Sequence, residues 1–237
     1  MFPLRDNAAP SRLTPVNMML IAANVAVFLY EVSLGPALEP FIESYALVPA
    51  SVSAAFHGSA ATLDPSRFWP VATIFTALFL HGGFWHIAGN MLYLFIFGAA
   101  VEWRMGSLRY LAFYFFSGIA AAAATVLITP GSAVPVIGAS GAIAGVLGAY
   151  FIFFPRGKIL TILPIFIFIQ FIEVPAVLYL LLWFGVQLYS GLTEGSRGAM
   201  MGGVAWWAHV GGFLFGIALA PLIADERPPP RRRIAYR

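Results

Sequence analysis

Four polar side chains interrupt the apolar stretches of this chain: His86, Asn90, Ser140 and His209. Polar side chains inside a membrane are costly, so the few that occur there usually have a function. A serine hydroxyl is a weak nucleophile until a base takes its proton, and histidine is the usual base near neutral pH. The residue types therefore predict acyl-transfer chemistry, with Ser140 as the nucleophile and His209 as the general base.

Three of these residues are expected at one depth in the membrane. Each lies 16 residues from the first charge that marks the cytoplasmic end of its helix: Ser140 from Arg156, His209 from Asp225 and His86 from Glu102. With a rise of about 1.5 Å per residue, each is about 24 Å from the inner face of a hydrocarbon core about 30 Å thick. They therefore share a layer just below the outer surface, and Asn90 lies one turn deeper than His86 on the same helix face.

The residues around Ser140 favour the formation of an oxyanion. Ser140 follows Gly138 and Ala139 and precedes Gly141, after an apolar loop that contains prolines. This arrangement predicts a helix N-terminus, where free N–H groups and the helix dipole stabilise negative charge. The small residues let the backbone approach a substrate carbonyl.

Glycines are expected to bring the two catalytic helices together. They form small faces on two predicted helices: Gly141, Gly145 and Gly148 on the fourth, and Gly212 and Gly216 on the sixth. Small residues allow close approach of helices in membranes. Such an approach would put the Ser140 hydroxyl within about 3.5 Å of the His209 ring, with some allowance for looser contacts in the free enzyme.

No carboxylate is expected at the depth of His209 to orient its ring. The candidates Glu31, Glu102 and Glu173 all lie near helix ends. The sequence therefore predicts a dyad, with the ring held by packing and an aromatic side chain such as Tyr150 or Trp206. His86 and Asn90 can donate hydrogen bonds to the oxyanion from the side opposite the backbone.

The composition points to lipid as the solvent. The chain is 60% hydrophobic and 10% charged, with a mean hydropathy of +0.86, whereas soluble domains carry about 25% charged residues. The net charge of +3 is spread over loops, so we expect no nucleic-acid partner. Cysteine is absent and no His-Glu-x-x-His motif occurs, so we expect no metal and no cofactor.

Six apolar stretches predict six membrane-spanning helices and an all-α membrane protein. They lie near residues 16–34, 84–101, 108–128, 140–154, 175–191 and 204–223. The stretch 159–172 contains a proline and is interpreted as an interfacial segment leading into the fifth helix. The predicted organisation is a cytoplasmic segment 1–15 without packed structure, a membrane domain 16–223 and a basic cytoplasmic tail 224–237.

The positive charges predict the orientation. With six spans, eleven of the thirteen Lys and Arg residues fall on the side of the two termini. Cytoplasmic loops carry such an excess, so both termini are predicted to be cytoplasmic and the site to open to the outer side. The short termini favour the plasma membrane of a bacterium or archaeon.

Three segments in this order resemble the rhomboid family of intramembrane proteases: residues 81–90, 138–141 and 208–212. The likeness extends over residues 16–223. It implies a six-helix fold with a Ser140/His209 dyad and an oxyanion hole made by His86, Asn90 and the backbone N–H of Ser140. It also implies hydrolysis of a peptide bond in or beside the transmembrane helix of a membrane-protein substrate, by an enzyme that lies in the lipid bilayer.

The resemblance also implies roles for segments outside the dyad. Residues 35–75 are similar to the family's long first loop, which lies partly in the outer leaflet. Trp183 and Phe184 in the fifth helix resemble the lateral gate, and residues 192–203 the cap over the site. Glu102 and Gly106 look like the family's structural Glu-x-x-x-Gly turn.

Other readings remain open from the sequence. In one of them, Ser140 is only a packing residue. In another, His86 and Asn90 only cross-link helices. At the level of function, the alternatives are a catalytically silent rhomboid-like protein that binds membrane clients, and a small transporter.

Overall fold

The computed structural model describes residues 2–8, 14–57, 69–165, 168–194 and 205–224. The long apolar helices are α1 (Pro15–Ser33), α5 (Phe84–Tyr93) with α6 (Ala99–Met105), α7 (Ser107–Ile128), α8 (Ser140–Phe153), α9 (Ala176–Glu194) and α10 (Trp206–Ile223). A π-helical segment, Leu94–Gly98, joins α5 to α6 into one span. The described parts of the connection from α1 to α5 contain three short α-helices: α2 (Leu38–Tyr45), α3 (Pro49–His57) and α4 (Trp69–Thr76).

The predicted six-helix membrane bundle is confirmed. Within the described residues, five helices are long and apolar enough to cross a membrane, and α8 is a shorter apolar helix of 14 residues. Each coincides with one of the six predicted stretches. The chain is therefore an integral, multi-pass membrane protein.

The short helix α8 occupies the centre of the bundle. Ten consecutive residues, Gly141–Tyr150, are buried, so this helix is surrounded by the others. At about 1.5 Å per residue it is about 21 Å long, less than the thickness of the hydrocarbon core. Its N-terminus, which carries Ser140, therefore lies within the bundle.

The loop before α8 is held by backbone hydrogen bonds to the first connection. Leu47 and Val136 exchange two such bonds, of 3.0 and 2.8 Å, and the N–H of Gly138 donates to the carbonyl of Ala77 at 2.8 Å. Irregular backbone can lie within a membrane protein only where other polar groups satisfy it. These bonds meet that condition and set the position of Ser140.

The predicted glycine faces bring α8 and α10 into backbone contact, and no other two helices in the described parts of the chain are in more extensive contact. A Cβ atom at Gly212 would overlap the carbonyl oxygen of Gly141, and one at Gly216 would overlap that of Gly145. A Cβ at Gly148 would likewise meet the carbonyl of Phe213. Glycine is therefore required on both helices, as the sequence predicted.

A three-stranded antiparallel sheet corrects one expectation. The expectation that residues 1–15 have no packed structure is wrong, because β1 (Phe2–Asp6) pairs with β2 (Lys158–Ile165). The stretch 159–172 leads into α9 as predicted, through a hairpin of β2 and β3 (Phe168–Pro175), and its interfacial location stays a prediction. The β-branched and aromatic residues of the hairpin favour strands, and an edge strand tolerates Pro3.

Hydrogen bonds to Glu102 hold the neighbouring ends of three helices together. Its carboxylate accepts from the backbone N–H groups of Val16, at 3.2 Å, and Asn17, at 2.7 Å, and from the Ser107 hydroxyl at 2.6 Å. Gly106 has φ = 81°, a conformation that favours glycine. The predicted structural turn thus joins α6 to α7 and fastens the start of α1.

Candidate active site

The four predicted residues line a single cavity of about 640 Å³. His86 and Asn90 come from α5, Ser140 from α8 and His209 from α10, and Trp183 of α9 forms part of the wall. Helices that are distant in the chain thus converge on one cavity, whereas the depth of these residues in the membrane stays a prediction.

Ser140 is the first residue of α8 and is half-buried. The N–H groups of a first helical turn have no partner within the helix, so they can face a ligand. Gly138, two residues earlier, has φ = 117°, and a Cβ there would lie 2.7 Å from the Nε2 atom of His86. Glycine at position 138 therefore allows both the turn and the approach of His86.

The ring of His209 is held by a residue that the sequence analysis missed. The distance from Nδ1 of His209 to Oε1 of Gln187, on α9, is 2.7 Å. Nε2 of His209 is buried and has no hydrogen-bond partner among the described residues. The expected hydrogen bond between Ser140 and His209 is therefore not formed, although both side chains line the same cavity.

Aromatic side chains pack around His209, but Tyr150 is not one of them. The ring centroids of Trp183 and Trp206 lie 5.8 and 6.3 Å from that of His209. The expectation for Trp206 is confirmed, whereas that for Tyr150 is wrong. The Tyr150 hydroxyl donates to the buried carboxylate of Asp6 at 3.0 Å. Tyr150 therefore connects β1 to the C-terminal part of α8 instead.

His86 and Asn90 have free donors at the cavity. The backbone N–H of Gly82 donates to Nδ1 of His86 at 3.3 Å, so in the neutral ring Nε2 carries the hydrogen. The Nδ2 amide of Asn90 is buried without a partner among the described residues. A buried, unpaired donor in a native structure calls for an explanation, and an oxyanion in the cavity would supply one.

We expect Asn90→Ala to lower kcat by roughly 10²-fold, the usual effect of removing one oxyanion donor. The donor acts mainly on the transition state, so KM should change little. Steady-state cleavage of a transmembrane substrate in detergent measures both constants. An unchanged kcat would remove Asn90 from the predicted oxyanion hole.

The predicted gate residues are on α9 and contact α10. Trp183 and Phe184 both pack on Phe213 of α10, with ring centroids 5.9 and 4.8 Å apart. Their role as a gate stays a prediction. Most of the predicted cap 192–203 and part of the predicted first loop 35–75 fall outside the described residues.

The polarity of Gln187 could have identified this residue as a candidate for the site. It is a buried amide within an otherwise apolar span, and such residues in membranes are usually functional. The predicted supports of the His209 ring were packing and an aromatic side chain, with carboxylates excluded by depth, and Gln187 was not among them. No group of three or more acidic, His or Cys residues that could hold a metal lies within the described parts of the chain.

Comparison with known proteins places the chain in a family. The Rhomboid domain matches residues 67–226, more than half of the chain, which therefore belongs to the rhomboid family. It is 27% identical to the rhomboid protease AarA of Providencia stuartii over 238 residues, covering 93% of this chain and 75% of that protein.

Two further relatives match over shorter lengths. Identity to the mitochondrial rhomboid protein 1 of Saccharomyces cerevisiae is 29% over 167 residues, or 68% of this chain and 44% of that protein. Identity to the rhomboid protease GluP of Bacillus subtilis is 43% over 76 residues, or 32% of this chain and 14% of that protein. The chain thus spans less than half the length of these two relatives.

Proposed function

We propose that this protein is an intramembrane serine endopeptidase that hydrolyses a peptide bond in or next to the transmembrane helix of a membrane-protein substrate. Ser140 attacks the scissile carbonyl, and His209 takes its proton through Nε2. His86, Asn90 and the backbone N–H of Ser140 stabilise the oxyanion. No cofactor takes part.

The observation that carries this proposal is a pair of unsatisfied polar atoms at one cavity. Nε2 of His209 and Nδ2 of Asn90 are both buried without a partner among the described residues, and both side chains line the cavity that contains Ser140. One atom has the lone pair of a base and the other the hydrogen of a donor. These are the two complementary groups that a serine nucleophile requires.

The proposed orientation has both termini in the cytoplasm and the site open to the outer side of a plasma membrane. The predicted bias of eleven cations on the side of the termini against two on the other side supports this orientation. The start of α8 supports the depth of the site, because Ser140 begins the helix and Arg156 follows its inner end.

The test is incubation of detergent-purified protein with a fluorophosphonate probe and, separately, with a single-span model substrate. Wild-type protein should bind the probe covalently and cleave the substrate, and Ser140→Ala should lose both activities. Cleavage that persists in Ser140→Ala would exclude Ser140 as the nucleophile. A folded wild-type protein that binds the substrate with neither labelling nor cleavage would favour the silent, client-binding alternative.

A further inference from the structure

We propose that Gln187 is a positioning residue that holds His209 in the tautomer with hydrogen on Nδ1, and so keeps Nε2 free to accept the Ser140 proton. The kinetic consequence rests on the proposed protease function. The assignment of the tautomer rests only on the contacts of Gln187 with Trp183 and His209.

The orientation of the Gln187 amide follows from its two contacts. Its nitrogen lies 3.3 Å from the carbonyl oxygen of Trp183, and its oxygen lies 2.7 Å from Nδ1 of His209. A carbonyl oxygen only accepts, so the amide nitrogen must face Trp183. The amide oxygen then faces His209, and the reversed amide would place two acceptors against each other at Trp183.

This orientation decides which ring nitrogen carries the hydrogen. The Gln187 oxygen can only accept, so Nδ1 of His209 must donate. A neutral imidazole has one N–H, which leaves Nε2 with a lone pair. Nε2 is the ring atom that is buried and unpaired among the described residues, on a side chain that lines the cavity with Ser140.

Gln187 would matter most when proton transfer occurs. The ring then becomes an imidazolium, and its hydrogen bond to the Gln187 oxygen becomes charge-assisted and stronger. Gln187 is 6% exposed, so water cannot readily replace this acceptor. Without it, the ring can turn or place its hydrogen on Nε2, and neither state can accept the serine proton.

Because Gln187 is on α9, the orientation of His209 also depends on the position of α9. Gln187 lies one turn after Trp183 on the helix whose aromatic side chains pack on Phe213 of α10. Displacement of α9 from α10 at this level would separate Gln187 from His209. The base would therefore be correctly oriented only while these helices are packed together.

The kinetic test compares three variants of the full-length protein. Gln187→Met removes the acceptor at similar side-chain length, and we expect kcat to fall roughly 10- to 100-fold with KM unchanged. Fluorophosphonate labelling should slow by the same factor. Gln187→Glu restores an acceptor and should recover most of the labelling rate. The control is Tyr189→Phe, a change at a residue that is 70% exposed on the same helix, which should retain wild-type kinetics.

Two results would overturn the assignment. The first is wild-type labelling by Gln187→Met, and the second is an equal loss in Gln187→Met and Gln187→Glu, since a purely structural role would affect both. Thermal unfolding of each variant in detergent separates misfolding from loss of the acceptor.

A readout independent of turnover is the ¹⁵N NMR spectrum of histidine-labelled protein, with His209 assigned by its absence in His209→Ala. Wild-type protein should show the Nδ1–H tautomer at His209, and Gln187→Met a mixture of both tautomers. An Nε2–H tautomer in wild-type protein would refute the inference. The Nδ1–H tautomer in a protein that neither labels nor cleaves would support Gln187 in its positioning role and reject the proposed function, so the two failures are distinguishable.

Discussion

His209→Ala is expected to lower kcat for substrate cleavage by roughly 10⁴-fold or more, as removal of the base does in other serine hydrolases. Among the described residues, Ser140 has no other base: the other imidazole at the cavity is that of His86, whose Nδ1 already accepts a hydrogen bond from the backbone N–H of Gly82. Fluorophosphonate labelling should fall with cleavage, because both reactions require the activated hydroxyl. Single-turnover cleavage and labelling rates measure the effect.

The matched control for this prediction is His57→Ala. His57 is exposed at the end of α3, and its ring bonds to Ser53 of the same helix, at 2.9 Å to the carbonyl oxygen. This variant loses the same chemical group outside the cavity and should cleave at the wild-type rate. A His209→Ala protein that retains activity would show that another group serves as the base.

Gly216→Val is expected to prevent the packing of α8 against α10, with a loss of about 3 kcal/mol of stability. The atoms that a Cβ at Gly216 would meet are the backbone carbonyl and Cα of Gly145, so no side-chain rotation can relieve the overlap. Separation of the helices would also move His209, two turns earlier on α10, away from Ser140. Thermal unfolding in detergent and substrate cleavage measure the two consequences.

Gly185→Val introduces the same side chain where space is available. Among the described residues, no atom outside the adjacent residues and backbone of α9 lies within 4 Å of a Cβ built at Gly185, so this variant should unfold close to the wild-type temperature. If Gly216→Val were equally stable and active, the close backbone contact between α8 and α10 would not be a requirement for the fold.

Much of the architecture could be predicted because the bilayer restricts what the chain can do. Spanning segments must be long, apolar and helical, so their positions follow from composition. The sheet escaped prediction because its strands are short and apolar, and the stretch 159–172 alone cannot be distinguished from an interfacial segment. The pairing of β1 with β2 joins residues more than 150 positions apart, and Asp6 finds its partner Tyr150 only through that pairing.

The candidate site likewise has features that the sequence predicts and features that depend on the tertiary structure. Residue types, helix depth and the glycine faces could be read along the chain, because they depend on local composition and a regular rise per residue. The partner of His209 could not, because a hydrogen bond between α9 and α10 depends on how each helix is rotated and tilted. For the same reason, only the folded protein assigns the hydrogen to Nδ1 of His209 and to Nε2 of His86. Those assignments come from contacts with Gln187 and Gly82, and no spacing in the chain encodes them.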